Sequence, residues 1–499
     1  MTPPYLADDC IYYILKHLQV YRSTLFNCTL VNRFWCRAAI PLLYANPFTR
    51  FNEKIILSFI LCFNKEEILQ LKNQMKLIGI NNIDINDEYK PLFEYPKYLK
   101  YYDYTFINCS INGWFNSLSH LILYNQDQIK EEFSSTFHQS ILNHSINVEH
   151  SRINLYQLVK SNPNFNIPTS NLTKLNLLKL DGLKDLNGME FLTDISNHCL
   201  NLKELRMDPI HTCPPPPEIQ EKFCIIIQKQ NNLEKLKIFD FVLNDNLFSS
   251  LEFQTHSLVS IEFSYINFSN IFFKIFVNLC NLNFLSFVCC QDTNSLDRYE
   301  ILKFASFKLK ELEFFSNHWS VNIEPTIIKY LGSSLQRLII SEGSTTIPMF
   351  ENILIYCLNL IELEMITGHE IRIDLLVFPY FKNLKISRFI IYNFGPHDNN
   401  EMFKSLVKNL SFNVKEITFR CTAYDIWLFE IFFENCHNYL EKISLKFSFE
   451  SLKMILNYIE KSNSLKILNI GDEIPDDEEL NLLDKIKLKG IKITSYPIN

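Results

Sequence analysis

The string L-x-x-L-x-L, with Ile, Val, Met or Phe substituting, recurs along most of this chain and limits what it can fold into more than any other feature. It begins as Leu118-Leu121-Leu123 and returns as Leu172-Leu175-Leu177, Leu202-Leu205-Met207, Leu233-Leu236-Ile238 and Leu258-Ile261-Phe263. It continues as Leu282-Leu285-Phe287, Leu309-Leu312-Phe314, Leu335-Leu338-Ile340 and Leu360-Leu363-Met365. The series closes with Phe381-Leu384-Ile386, Val414-Ile417-Phe419, Leu440-Ile443-Leu445, Leu465-Leu468-Ile470 and a weaker Leu488-Ile491-Ile493. Most starts lie roughly 24 to 31 residues apart, near the length of a repeat made of one strand and one helix. The interval from Leu118 to Leu172 is about twice as long, which places a degenerate unit near Ile146 and Val148. The interval from Phe381 to Val414 is assigned an extra loop at residues 393–400.

The spacing has a direct physical meaning. The last two apolar residues of each string are two apart and therefore share one face of a short strand. Helix-period stretches follow at residues 190–199, 271–280, 351–357 and 426–436. Three of them end in Cys followed closely by Asn and Leu, at Cys199, Cys280 and Cys357. In this reading the helix ends, Cys fills the corner, Asn turns the chain and Leu opens the next strand. One such unit cannot bury its own apolar face, so units must stack and share a core. The expected fold is an α/β solenoid with parallel strands on a concave face and helices outside. The pattern resembles the cysteine-containing class of leucine-rich repeats, although it lacks that class's regular I-T-D-x-G segment.

Composition narrows the function. Acidic residues outnumber basic ones, 55 against 48, for a formal charge of -7, and no basic block suggests nucleic acid. With only 10 glycines there is neither a P-loop nor a G-x-G-x-x-G string. The 14 cysteines form no C-x-x-C pair and read as reduced, mostly buried thiols. No apolar run approaches the ~20 residues of a membrane span, and MTPPYLADDC has no signal-peptide pattern. A cytosolic or nuclear location is expected, with no membrane partner.

The first 48 residues behave differently. Leu6, Cys10, Ile11, Ile14, Leu15 and Leu18 form an amphipathic stripe, with Asp8 and Asp9 near the helix start. A second apolar segment runs through Leu25, Phe26, Leu30 and Val31. A third carries Phe34, Trp35, Ala38 and Ala39 and is expected to end at Pro41. From Leu6-Ala7-Asp8-Asp9 through Leu18, and again from Leu25 through Val31 to Trp35, the order of residues resembles the F-box. Ala7 stands where that family has Pro, and Cys10 where it has Ile or Leu. The tail Pro41-Leu42-Leu43-Tyr44-x2-Pro47-Phe48 resembles that of fungal F-box proteins.

The resemblance implies a three-helix module that docks a Skp-type adaptor and, through it, the cullin and RING subunits of an SCF-type ubiquitin ligase. Leu6, Ala7, Ile11, Ile14, Leu15 and Trp35 are the expected adaptor face or its support. The repeats would hold an unidentified target protein, and the chain itself would catalyse nothing. The alternative is a scaffold outside any ligase, whose N-terminal helices only cap the solenoid. The expected layout is therefore 1–48 F-box-like module, 49–115 helical and aromatic joining segment, and 116–499 repeats. In the joining segment, residues 55–63 and 65–77 read as helices, with Asn64 and Glu67 spaced as a capping box. The aromatic run at 91–114 is read as packing rather than as a nucleic-acid platform.

A target would meet the residues between the strand apolars, because these point onto the concave face. They include Lys174 and Asn176 early in the series, and later Glu311, Glu313, Arg337, Glu362 and Glu364. This last group reads as an acidic band around one arginine, which would favour a basic partner. No motif for catalysis or a cofactor is present. His211 and Cys213 before a proline run fall short of a four-ligand metal site, and residues 471–479 read as a solvated acidic loop.

Overall fold

A computed structural model of the chain describes residues 7–49, 52–80, 90–118, 127–163, 165–182, 188–208, 215–240, 245–268, 273–292, 296–341, 345–366, 377–392, 400–420, 426–471 and 475–495. It divides into two compact units, Met1–Phe241 and Val242–Asn499.

In the first unit the strands Tyr101–Asp103, His150–Asn154, Leu177–Asp181, Glu204–Asp208 and Lys235–Phe239 pair in parallel in sequence order. In the second, ten strands do the same, from Ser260–Ser264 and Phe284–Val288 through Glu311–Phe315, Arg337–Ser341, Glu362–Ile366 and Arg388–Tyr392 to Glu416–Arg420, Lys442–Leu445, Ile467–Ile470 and Lys492–Ser495. Helices or 3-10 turns connect most successive strands, as a parallel pairing requires.

Register explains the repeat. Leu178, Leu205 and Leu236 share one row in the first unit. Leu285, Leu312, Leu338, Leu363, Phe389, Ile417, Ile443 and Leu468 share the equivalent row in the second. All are at most 2% exposed. Two residues on, Phe263, Phe287 and Phe314 stack at 5.9 and 6.0 Å, adding aromatic contact to the shared core.

Each rung repeats its backbone bonds. The carbonyl just before one strand accepts two N–H groups from the next unit, as when Lys203 and Glu204 donate to Asn176 O at 2.8 and 3.0 Å. Several strands leave through a left-handed residue: Gly182 at φ 79°, Asp240 at 46°, Tyr265 at 57°, Cys289 at 51° and Ser316 at 50°. The bend points the N–H of Tyr265 at Val288 O and that of Cys289 at Phe315 O, at 2.8 and 2.7 Å. Only Gly182 adopts this conformation free of steric cost.

Buried amides stitch neighbouring repeats. Asn171 Nδ2 donates to Leu142 O and Ser145 O, Gln230 Nε2 to Cys199 O, and Asn438 Nδ2 to Ser411 O at 2.6 Å and Val414 O at 3.2 Å. Asn438 is 4% exposed, so no water replaces it. Asn438→Leu leaves two carbonyls short of a donor and is expected to cost about 2 kcal/mol in denaturant unfolding. An unchanged midpoint would show that the amide is dispensable.

Several expectations need correction. The frame Leu172-Leu175-Leu177 is slipped by three residues: Leu178 and Leu180 are the buried pair, so Leu177 and Lys179 take the places assigned to Lys174 and Asn176. Phe381-Leu384-Ile386 is slipped by five: Phe389 and Ile391 pair with Leu363 and Met365. That shift removes the long interval attributed to a loop at 393–400, of which 393–399 lie outside the described residues. The last strand begins at Lys492, and Ile493, not Ile491, lies opposite Leu468. In the Leu118 unit, Leu118 closes the helix Tyr104–Ser117, while Leu121 and Leu123 lie outside the described residues.

The ladder instead starts inside residues 49–115, at Tyr101–Asp103, where Leu99 and Tyr102 take the first two apolar positions. The degenerate unit near Val148 forms His150–Asn154. Residues 471–479 are not all loop, because Asp476 and Glu479 make a capping box for the helix Asp477–Leu488. Asn64 and Glu67 do the same for Lys65–Leu77.

Candidate interaction surfaces

The N-terminal module is built by the helices Asp8–His17, Arg22–Cys28 and Arg33–Leu43. Asp8 and Asp9 meet the dipole of the first helix, while Asn32 Oδ1 accepts from the N–H groups of Phe34 and Trp35 to cap the third. That helix does not stop at Pro41: it runs two residues further, to Leu43, with Ile40 and Leu43 buried. The module's small core is Ile11, Leu15, Leu25, Cys28, Ala38, Ala39 and Leu43.

This arrangement sorts the expected adaptor residues. Ile11 and Leu15 are buried in the core and act as support rather than as contact surface. Trp35 is half-buried against the same core, Ala7 is exposed at the helix start, and Ile14 is 38% exposed. Leu6 lies outside the described residues. The reading missed the larger exposed set: Tyr13, Val20, Tyr21, Phe26, Leu30 and Val31, with Val20 81% and Leu30 72% exposed. One signal was available. Tyr12 and Tyr13 directly follow Ile11 and cannot share its buried stripe.

The module's tail belongs to the ladder. Ala45 O accepts from the N–H groups of Lys100 and Tyr101 at 2.9 and 3.1 Å, repeating the bond pair that joins later rungs. Tyr44 stacks on Tyr95 at 4.1 Å, and Phe48 is buried against Phe59 at 5.2 Å. Residues 44–48 thus cover the first rung, while the exposed apolar residues lie on the first two helices and in the turns on either side of the second.

The strand face of the second unit is not a free acidic band. In register along the sheet stand Glu311, Arg337, Glu362, Arg388, Glu416 and Lys442, alternating in sign. Arg337 donates to Glu311 and, at 2.7 Å, to Glu364 Oε2. Glu362 Oε1 lies 2.6 Å from its Nε as an ion pair off the N–H axis. Arg388 sits 3.4 Å from Glu362 and 3.5 Å from Glu416, and Lys442 is 3.5 Å from Glu416. Glu364 is 3% exposed and also takes Arg420 at 3.2 Å. Burial raises the Glu313 carboxyl above its usual range; the hydroxyl of Ser286, donating at 2.8 Å, opposes this, while Glu262, Glu364 and Glu311 reinforce it. The expected preference for a basic partner loses its footing there, because Glu311, Glu362 and Glu364 already hold cations. Sequence reading could not pair Arg388, since the slipped frame placed it outside a strand.

In the first unit the strand face carries Arg152 with Asp181 at 2.9 Å and Lys179 with Asp208 at 2.5 Å. Among the described residues no group of three His, Cys, Asp or Glu could hold a metal ion, and no helix is long and apolar enough to cross a membrane. His211 and Cys213 lie outside the described residues. The described cysteines are free.

Parallel strands repeated in register, with one row of leucine-type residues buried in each unit and helical segments between them, define a leucine-rich-repeat fold. No family model and no curated protein matches the chain. Among solved structures it is similar to the leucine-rich repeat-containing protein LegL7 from Legionella pneumophila, at 12% identity and TM-score 0.34, covering 68% of this chain and 98% of that one. It is also similar to a chain in the complex of Rad7 and Elc1 in yeast, at 13% identity and TM-score 0.34, covering 77% and 96%. An internalin from Listeria monocytogenes matches at 14% identity and TM-score 0.29, covering 70% and 85%.

Proposed function

We propose that this chain is the substrate receptor of an SCF-type cullin–RING ubiquitin ligase, acting in the cytosol or nucleus. Its N-terminal helices dock a Skp-type adaptor, and its repeats hold a target protein. The receptor supplies proximity, and other subunits supply the transfer chemistry. The observation that carries this reading is the outer face of the N-terminal module. Seven core residues hold the helices together, yet Val20, Tyr21, Phe26, Leu30 and Val31 stand in solvent. Large apolar residues exposed in this number on a small module favour a protein-binding role.

The second reading, a scaffold whose N-terminal helices only cap the repeats, draws on the bonds from Ala45 to Lys100 and Tyr101. Those bonds come from the module's tail and make no use of the exposed set. The two readings separate by substitution. Leu30→Glu with Val31→Glu is expected to cut capture of a Skp-type adaptor by the full chain at least tenfold, with the melting temperature unchanged. Buried contacts of this size are worth more than the ~1.4 kcal/mol that a tenfold change requires. If the unaltered chain captures no adaptor, the ligase reading is wrong and the cap remains. Ile11→Asp is unsuitable as a probe, because it places a charge in the module's core.

A further inference from the structure

We infer that the second unit docks an amphipathic helix of a partner protein, acidic along its flanks, across the outer segments that lead into five successive strands. The inference rests on that unit alone and is independent of adaptor docking.

The five strands begin at Ser260, Phe284, Glu311, Arg337 and Glu362. Seven residues before each start stand Phe253, Val277, Phe304, Tyr330 and Ile355. Each lies in the helix or 3-10 turn that leads into its strand. Two residues earlier the side chain is buried in all five turns, from Leu251 to Ile353, at most 4% exposed. A step of two residues turns a helix by about 200°, so the later residue faces away from the core. Phe253, Phe304 and Ile355 are 67, 65 and 60% exposed, with Val277 and Tyr330 half-buried between them. Side-chain bonds tie neighbouring turns together. Ser306 Oγ donates to Val277 O at 3.2 Å, Asn281 Nδ2 to His256 O at 2.6 Å, and Asn359 Nδ2 to Ser333 O at 2.7 Å.

Building the core does not require apolar residues at this place. Before other strands it holds Asn197, Gln228, Asn409, Asn435, Glu460 and Lys485, while Phe381, also apolar, is buried. Five consecutive repeats that expose apolar side chains where others are polar favour a docking role for this column.

Charge selects the occupant. The ten residues before each of these five strands hold together five exposed lysines, Lys274, Lys303, Lys308, Lys310 and Lys329, against one acidic residue, Glu252. The whole chain, by contrast, carries -7. The Nζ atoms of Lys303 and Lys329 stand 5.2 and 5.3 Å from the ring centres of Phe304 and Tyr330, so cations flank the column itself. Lys303 also meets Glu300 at 3.6 Å, an exposed pair that water screens. A carboxylate on the partner therefore finds countercharge on this surface. A second copy docking through the same column would bring lysines against lysines.

Spacing selects the helix. Packed helices lie about 8–10 Å apart, and residues seven apart on one helix face lie about 10 Å apart. A helix laid across the turns thus sets one apolar residue on each.

The test is fluorescence anisotropy of the full chain with a labelled synthetic helix of about 28 residues, long enough to cross five turns. It carries a leucine stripe with one flank-set of glutamates; a second peptide has the same stripe flanked by lysines. The glutamate peptide is expected to bind and the lysine peptide to fail. Phe253→Ser, Phe304→Ser and Ile355→Ser combined are expected to weaken binding at least about tenfold. The melting temperature should hold, because the three altered side chains stand in solvent. Lys303→Glu with Lys329→Glu is expected to reverse the preference between the peptides. Equal binding of both peptides, or binding of neither at about 100 µM, overturns the proposal. So does self-association of the chain that the triple variant abolishes, which assigns the column to a second copy. Co-sedimentation with phosphatidylserine vesicles that the triple variant abolishes overturns it too, in favour of a membrane surface.

Discussion

Acidification by about two pH units below 6.5 is expected to remove about 3 kcal/mol of stability from the first unit, at about 1.4 kcal/mol per unit. The main source is His138, with His150, also lowered by burial, acting in the same direction. His138 is fully buried, its Nδ1 lies 2.8 Å from the Tyr102 hydroxyl, and its ring stacks on Tyr104 at 4.7 Å. Burial holds its pKa down from 6.5 to about 3. The unfolded chain therefore binds a proton at a pH where the folded chain does not. The neutral ring's contribution is complete above pH 6.5 and is lost progressively as the pH falls towards 3. Glu67 adds to the loss at lower pH. Burial would raise its carboxyl, but hydrogen bonds from His144 and the Asn64 N–H outweigh this and hold it below 4.5. Asp181, raised mainly by burial, acts in the opposite direction. Denaturant midpoints of His138→Gln, which keeps a partner for Tyr102 but does not titrate, should stay nearly flat between pH 6.5 and 4.5. A profile as steep as that of the unaltered chain would remove His138 as the cause.

Arg337→Leu is expected to destabilise the second unit by about 3 kcal/mol, the low end for breaking a buried ion pair because Arg337 is itself a third exposed. Its guanidinium meets Glu311, Glu362 and Glu364 at once, and Glu364 is 3% exposed. The substitution leaves that carboxylate with Arg420 at 3.2 Å as its remaining cation. Arg337→Lys should recover less than half of the loss, since a single ammonium cannot match the planar fork. Arg388→Leu should cost less than about 1 kcal/mol, because its pairs are longer and its side chain is half exposed. Calorimetric melting would test the order. Equal, small losses at both positions would mean that water screens the whole row.

The repeat was legible because L-x-x-L-x-L states its own periodicity, and most frames match the observed strands. It failed where the chain offers overlapping frames. Leu172 and Leu175 both begin plausible strings, as do Phe381 and Ile386, and spacing alone cannot choose between them. The strand Tyr101–Asp103 escaped notice because a three-residue strand has too few positions to show alternation. In the N-terminal module the helices were readable but their outer face was not. An amphipathic stripe shows which residues agree with one another, not how far the third helix covers them. Ile11 and Leu15 are sealed by Ala38 and Ala39, whose small side chains let the helices approach closely.

By itself the sequence determined the strand-and-helix repeat, the burial of one leucine-type row per unit and the helical start. These follow from local periodicity and from the need to hide apolar surface. Only the tertiary structure decided which frame each strand uses, that Ala45 caps the first rung, and that Glu311 through Lys442 form an alternating ladder of charge. The physical reason is register. A cross-strand pair joins residues about one repeat apart in the chain, and a shift of a few positions changes every partner while leaving the local pattern intact.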